Sequence, residues 1–123
     1  MKRLVAVIAA AAVIGLFSST PLQAQGKKKA ITGTVVDTYC LVTMNMGGKA
    51  HKQCAAKCVK NGSPLGIRDE KTGTVYLVAG QKNMVYASSR LEKYVEERVT
   101  VRGTVYEKDG VRMIVVDSAT PVK

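Results

Sequence analysis

The stretch that decides the fold is residues 98–117, with the sequence RVTVRGTVYEKDGVRMIVVD. Valine alternates with polar residues over its first half, which is the period-two pattern of a strand with one buried face. The turn-forming residues EKDG follow at 107–110, and a second apolar run comes directly after them. This pattern predicts a β-hairpin with strands at residues 98–106 and 111–117.

Three further strands are predicted upstream of this hairpin. Residues 30–39, AITGTVVDTY, are rich in Thr and Val, and Gly33 within them predicts a bulge or a tight bend. Residues 65–68 and 74–78 are two β-prone runs joined by the turn-forming residues DEKTG. The sequence ITGTV at 31–35 is similar to VRGTV at 101–105, which fits two curved strands with matching bends.

Two segments have helical patterns instead. Residues 49–61, KAHKQCAAKCVKN, contain no β-branched residue before Val59 and are followed by the helix-stopping sequence GSP. Residues 89–97, SRLEKYVEE, carry Ser89 as an N-cap and Glu92 three positions later, which is a capping box. The second segment is predicted to be a short helix.

The element order is strand, helix, strand, strand, short helix, strand, strand. This order predicts a mainly β fold, a small five-stranded OB-like barrel. The Cys/His-bearing helix would be inserted in place of the loop between the first two strands. A small α+β sheet domain with both helices on one face is the alternative.

The N-terminal residues 1–24 have the pattern of a cleaved secretory signal peptide. Lys2 and Arg3 precede an apolar run at residues 4–17, and Ala24 ends the segment. The apolar run is shorter than the roughly 20 residues of a membrane-spanning helix. We therefore expect an exported, periplasmic protein with no membrane span after cleavage, in which residues 25–123 form a single domain.

The chain has 123 residues and a formal net charge of +10, and loss of the signal would leave +8. Its three cysteines all lie between residues 40 and 58, in a part of the chain predicted to enter an oxidising compartment. An odd number of cysteines leaves one thiol for a metal, a partner or redox chemistry.

A cluster of Cys40, His51, Cys54 and Cys58 is the strongest candidate site. The spacing H-x2-C-x3-C places the last three within roughly 60° of one another on a helix. A return loop over residues 41–50 would bring Cys40, at the end of the first strand, onto this face. The resulting Cys3His set suits a transition metal, Zn or Cu. The thioethers of Met44 and Met46 nearby slightly favour copper.

A disulfide is the alternative to a metal. Cys54 and Cys58 lie about 6 Å apart at Cβ on an intact helix, too far for a disulfide. A bond from Cys40 to either of them is feasible and would staple the helix to the first strand. Covalent c-type haem is disfavoured because Val59 follows Cys58, and thioredoxin-like chemistry because no C-x-x-C is present.

Three motifs, GTVVDTYC at 33–40, HKQCAAKC at 51–58 and GSPLG at 62–66, resemble a pattern found in small exported bacterial domains of uncharacterised function. That pattern is G-x-V-x-D-x-x-C, H-x-x-C-A-x-x-C and G-x-P, followed by an OB-like tail. The resemblance covers the first half of residues 25–123. It implies that the Cys/His group acts as a unit, and it implies no particular activity.

Two functions follow from these patterns. The first is an exported metal-binding or redox-responsive module, in which Asp37 either orients His51 by accepting a hydrogen bond from its ring or caps a turn. The second is a disulfide-stapled OB-like module whose basic surface binds an anionic ligand or a periplasmic protein partner. Nucleic-acid binding is disfavoured by export. An enzyme is disfavoured because no paired carboxylates, serine elbow or phosphate loop is present.

Overall fold

A computed structural model of the chain describes residues 25–81 and 91–123. The predicted signal peptide and the predicted N-cap Ser89 lie outside these ranges. Within them, no helix is long and apolar enough to cross a lipid bilayer. The elements are β1 (Lys27–Asp37), α1 (Thr38–Met44), a 3₁₀ turn (Lys49–His51), α2 (Lys52–Lys60), β2 (Leu65–Asp69), β3 (Val75–Ala79), a 3₁₀ turn (Glu92–Tyr94), β4 (Arg98–Lys108) and β5 (Val111–Pro121).

The five strands form a closed barrel in the order β1-β2-β3-β5-β4. Neighbouring strands are antiparallel except β3 and β5, which pair in parallel. The predicted small five-stranded OB-like barrel is confirmed, and both α1 and α2 lie between β1 and β2, where the inserted helix was expected. The alternative, a small α+β sheet domain with both helices on one face, is wrong because every strand pairs with two neighbours and the sheet closes on itself.

Glycines permit the bends that close this barrel. Strand β1 pairs with β4 through residues 27–34 and with β2 through residues 33–37, so Gly33 lies where both partners meet it. A Cβ at Gly33 would lie 2.1 Å from the carbonyl oxygen of Arg68, and one at Gly103 would lie 2.3 Å from that of Val115. The pairing register also shifts between Arg102 and Gly103. The glycines of the two similar sequences therefore both mark close backbone approaches, and a bulge accompanies Gly103.

The core is built from the inward-facing residues of the alternating strands, together with one face of α2. Helix α2 contributes Ala55 and Val59, which face the barrel because they are one turn apart. The core residues with no measurable exposure are Val35, Ala55, Ile67, Leu91, Val99, Val101 and Ile114. This core fixes α2 over one end of the barrel.

The short helix predicted at residues 89–97 is a single 3₁₀ turn, Glu92–Tyr94, in the described part of that segment. Leu91 and Val95 are buried and belong to the core. Val95 has an extended backbone and forms a bridge with Val35, and Glu96 then takes a left-handed conformation with φ of 60°. The helix ends there because neither conformation continues it.

The end of the first strand differs from the prediction. We expected the strand to continue through Tyr39 with Cys40 closing it, but β1 ends at Asp37 and Cys40 lies in α1. The physical reason is helix capping: Asp37 Oδ1 accepts hydrogen bonds from the backbone N–H groups of Tyr39 (3.0 Å) and Cys40 (3.3 Å). The chain therefore turns into a helix two residues before the predicted end of the strand.

Candidate metal centre

Asp37, Cys40 and His51 converge at the junction of β1, α1 and the first 3₁₀ turn. One potential ligand atom from each, a carboxylate oxygen, the thiol sulfur and an imidazole nitrogen, lies within 4.8 Å of the other two. The residues are 1%, 1% and 5% exposed. A carboxylate, a thiol and an imidazole buried together are a ligand group for a transition metal.

The two carboxylate oxygens of Asp37 differ in their hydrogen bonding. Its Oδ1 caps α1 and also accepts a hydrogen bond from the Ser63 hydroxyl. Its Oδ2 is buried and has no hydrogen-bond partner among the described residues. Burial raises the pKa of this carboxyl, but the hydrogen bonds from Ser63 and from the start of α1 outweigh burial, so the net pKa lies below the ordinary value. The carboxylate is therefore ionised and has an oxygen available for a cation.

Cys40 is held beside this carboxylate by α1. The contact with Asp37, followed by burial, raises the pKa of the Cys40 thiol to about 12. The thiol is thus protonated at neutral pH and is a poor nucleophile. A metal would displace this proton, because the thiolate is the form that binds metals.

His51 lies in the 3₁₀ turn, whose backbone is fixed by a hydrogen bond from the His51 N–H to the Gly48 carbonyl (2.9 Å). Both ring nitrogens are buried, and neither has a hydrogen-bond partner among the described residues. Asp37 therefore accepts no hydrogen bond from the ring, and its capping role, the alternative, is the one observed. A buried imidazole without a partner is costly and calls for a bound ligand or water.

The other two cysteines extend from this group toward solvent along α2. Cys58 is half-buried, its thiol lies near those of Cys40 and Cys54, and burial raises its pKa. Cys54 is exposed. No disulfide joins Cys40, Cys54 and Cys58. Of the four predicted ligands, Cys40 and His51 lie in the buried group, Cys58 borders it, and Cys54 faces solvent.

The sequence reasoning missed Asp37 as a member of the group itself. The available signal was the spacing D-x-x-C at the end of a strand, since an N-cap aspartate brings its carboxylate next to the third residue of the helix. Met44 and Met46 are 49% and 41% exposed, and neither belongs to the Asp37, Cys40 and His51 group. The thioether argument for copper therefore loses its support.

No protein-family model, curated protein or solved structure gives a significant match to the chain. The functional argument therefore rests on the chemistry of the described residues.

Proposed function

We propose that the protein is an exported metal-binding module that holds one transition-metal ion through Asp37, Cys40 and His51. The observation that carries this proposal is the convergence of three buried ligand atoms within 4.8 Å, where Asp37 Oδ2 and both imidazole nitrogens have no partner among the described residues. Native proteins pair nearly all buried polar atoms. A metal ion would satisfy these atoms together.

The donor types favour zinc over copper. A carboxylate oxygen is a hard ligand that Zn²⁺ accepts alongside sulfur and nitrogen, whereas Cu⁺ prefers thiolates and thioethers. Cys58, half-buried and near Cys40, is the best-placed fourth ligand for a tetrahedral site. Four protein ligands would form a closed site, and closed sites stabilise a fold. The ion would fix α1 and α2 to the end of β1.

The proposal is tested by the zinc content of reduced protein. Wild type, His51→Ala and Cys54→Ser are purified under reducing conditions, loaded with Zn²⁺ and measured by native mass spectrometry. We expect one zinc ion per chain for wild type and for Cys54→Ser, and loss of the ion in His51→Ala. Cys54→Ser is the matched control, because it removes an exposed thiol from the same helix.

Two results would reject the three-residue centre. Absence of stoichiometric zinc or copper in reduced wild type would remove the metal altogether. Loss of zinc in Cys54→Ser to the same degree as in His51→Ala would restore the four-ligand Cys3His set predicted from sequence.

A disulfide-stapled binding module is the second candidate, and the proximity of Cys40 and Cys58 favours it. Oxidation of this pair would connect α1 to α2 covalently in an exported protein. The module would then bind an anionic ligand or a periplasmic protein through exposed lysines such as Lys49, Lys57 and Lys60 on and beside α2. Protein with two oxidised thiols, no metal and an unaffected His51→Ala variant would establish this function instead.

A further inference from the structure

A second candidate site is a cavity whose lining residues do not include those of the metal centre. The cavity, about 290 Å³ in volume, opens between the outer face of β1 and β2, the loop that follows α1, and Glu96. Its walls combine apolar side chains with one acidic and one basic residue. The lining residues that matter for binding are Val36, Leu41, Met46, Gly48, Arg68 and Glu96.

Two hydrogen bonds to backbone groups of other residues hold Glu96 in this wall. Its N–H donates to the Val35 carbonyl at 2.7 Å, and its Oε2 accepts from the Gly48 N–H at 2.8 Å. The residue is 7% exposed and adopts a φ of 60°, a conformation that is uncommon for residues other than glycine. Such outliers persist where the surrounding structure imposes them, and they concentrate at functional sites.

The other carboxylate oxygen of Glu96 is Oε1. Oε1 is buried and has no hydrogen-bond partner among the described residues. A carboxylate oxygen that is buried without a partner is costly, so a donor is expected there. Gly47 lies beside this carboxylate without crowding it, since a Cβ there would be 3.8 Å from the nearer carboxylate oxygen.

Arg68 provides the opposite charge in the same cavity. It is exposed on β2, and within residues 25–81 and 91–123 its side chain takes part in no ion pair, with Glu96 or with any other residue. Two opposite charges therefore line one cavity without meeting each other. A ligand that carries both an ammonium and a carboxylate would bridge them.

We propose that this cavity binds a free α-amino acid, with the ammonium group on Glu96 and the carboxylate on Arg68. The guanidinium suits a carboxylate because its parallel N–H groups donate to both oxygens. Val36, Leu41 and Met46 form the apolar part of the wall, so the preferred side chain is apolar, as in leucine or methionine. This site is independent of the proposed metal function, and it is tested with a chelator present.

The test is a chemical-shift titration of the purified protein with L-leucine and L-methionine. We expect saturable shifts at Gly47 and Gly48. N-acetyl-L-leucine, which lacks the ammonium, and L-leucinamide, which lacks the carboxylate, should each bind at least about tenfold more weakly, because each loses a charged hydrogen-bonding group.

Two variants assign the contacts. Arg68→Met removes an exposed charge and should weaken leucine binding at least about tenfold without weakening leucinamide binding. Glu96→Gln keeps an oxygen for the Gly48 N–H and removes the charge that holds the ammonium. Arg102→Met, an exposed arginine on β4 outside the cavity, is the matched control.

Three outcomes would overturn the proposal. They are the absence of saturable shifts at millimolar leucine or methionine, equal binding of leucine and leucinamide, and leucine binding that Arg68→Met and Arg102→Met affect equally. The second and third would identify a site for a simple cation.

Discussion

The Ser63 hydroxyl donates a hydrogen bond to Oδ1 of Asp37, a residue 26 positions earlier in the chain. The same oxygen caps α1, so Ser63 and the helix N-terminus together fix the carboxylate. Oδ2 has no hydrogen-bond partner among the described residues, and the carboxylate lies beside Cys40 and His51. Ser63, in the loop after α2, thus positions Asp37, the candidate ligand at the end of β1.

Ser63→Ala should weaken zinc binding without removing a ligand. Loss of a hydrogen bond that orients a ligand typically lowers metal affinity by about 10–100-fold. The metal-free protein should lose about 1 kcal/mol of unfolding free energy. Competition with a zinc chelator and urea unfolding measure the two effects. Ser118→Ala, an exposed serine on β5, is the control, and equal zinc affinities for the two variants would contradict the positioning role.

Oxidation should pair Cys40 with Cys58 and leave Cys54 free. Cys58 in α2 lies near Cys40 in α1, whereas it shares α2 with Cys54 at a spacing that an intact helix keeps too wide for a disulfide. Two thiols then reduce one molecule of oxidised glutathione to two of the reduced form. Peptide mapping identifies the bond, and zinc binding should be lost because Cys40 is consumed. A bond that includes Cys54 would contradict this assignment.

Gly33→Ala should destabilise the barrel. The added Cβ would lie 2.1 Å from the Arg68 carbonyl oxygen, so β1 and β2 would have to separate. Overpacking of this kind costs typically about 1–3 kcal/mol. Gly47→Ala is the control, because its Cβ would meet its nearest atom at 3.8 Å. Urea unfolding compares the two, and an equal stability would show that β1 adjusts freely at Gly33.

The Glu70–Arg98 ion pair predicts a small pH dependence. Two hydrogen bonds from Arg98, at 2.7 and 2.8 Å, hold the pKa of Glu70 below its ordinary value of 4.5. A lowered pKa contributes stability above the unfolded value, and that stability is lost as pH falls through the folded value. Because both side chains are over a third exposed and solvent screens the pair, Glu70→Gln should lower the stability only slightly near neutral pH.

This pH dependence is measured by urea unfolding of wild type and Glu70→Gln at neutral and at acidic pH. The difference between the two proteins should shrink as pH falls below 4.5. Glu107→Gln, which removes an exposed charge paired with Arg112 on the β4–β5 hairpin, is the control. A difference that grows in acid would contradict the assigned sign.

The barrel was predictable because period-two patterning fixes which face of each strand is buried. Val99 and Val101 are examples, both fully buried as their alternation required. The candidate site was only partly predictable. An N-cap that shortens β1 moved Cys40 into a helix, and helical periodicity alone did not reveal that Cys54 would face solvent.

Glu96 illustrates a limit of a different kind. Its left-handed backbone is imposed by contacts with Val35 and Gly48. Nothing local distinguishes it from Glu97, because glutamate has no intrinsic preference for that conformation. A left-handed conformation of this kind can be assigned only when the tertiary contacts are known.

The location of the ligand group also bears on the order of events in folding. Asp37, Cys40, His51 and Ser63 all belong to one excursion between β1 and β2, and Asp37 pairs directly with Leu65 where that excursion closes. The pairing of β1 with β4, by contrast, joins residues as distant as Lys27 and Val105. Distant pairings are slow because chain closure costs entropy before contacts repay it. We expect zinc to speed refolding by drawing the first two strands together early, and stopped-flow refolding with and without zinc measures this acceleration.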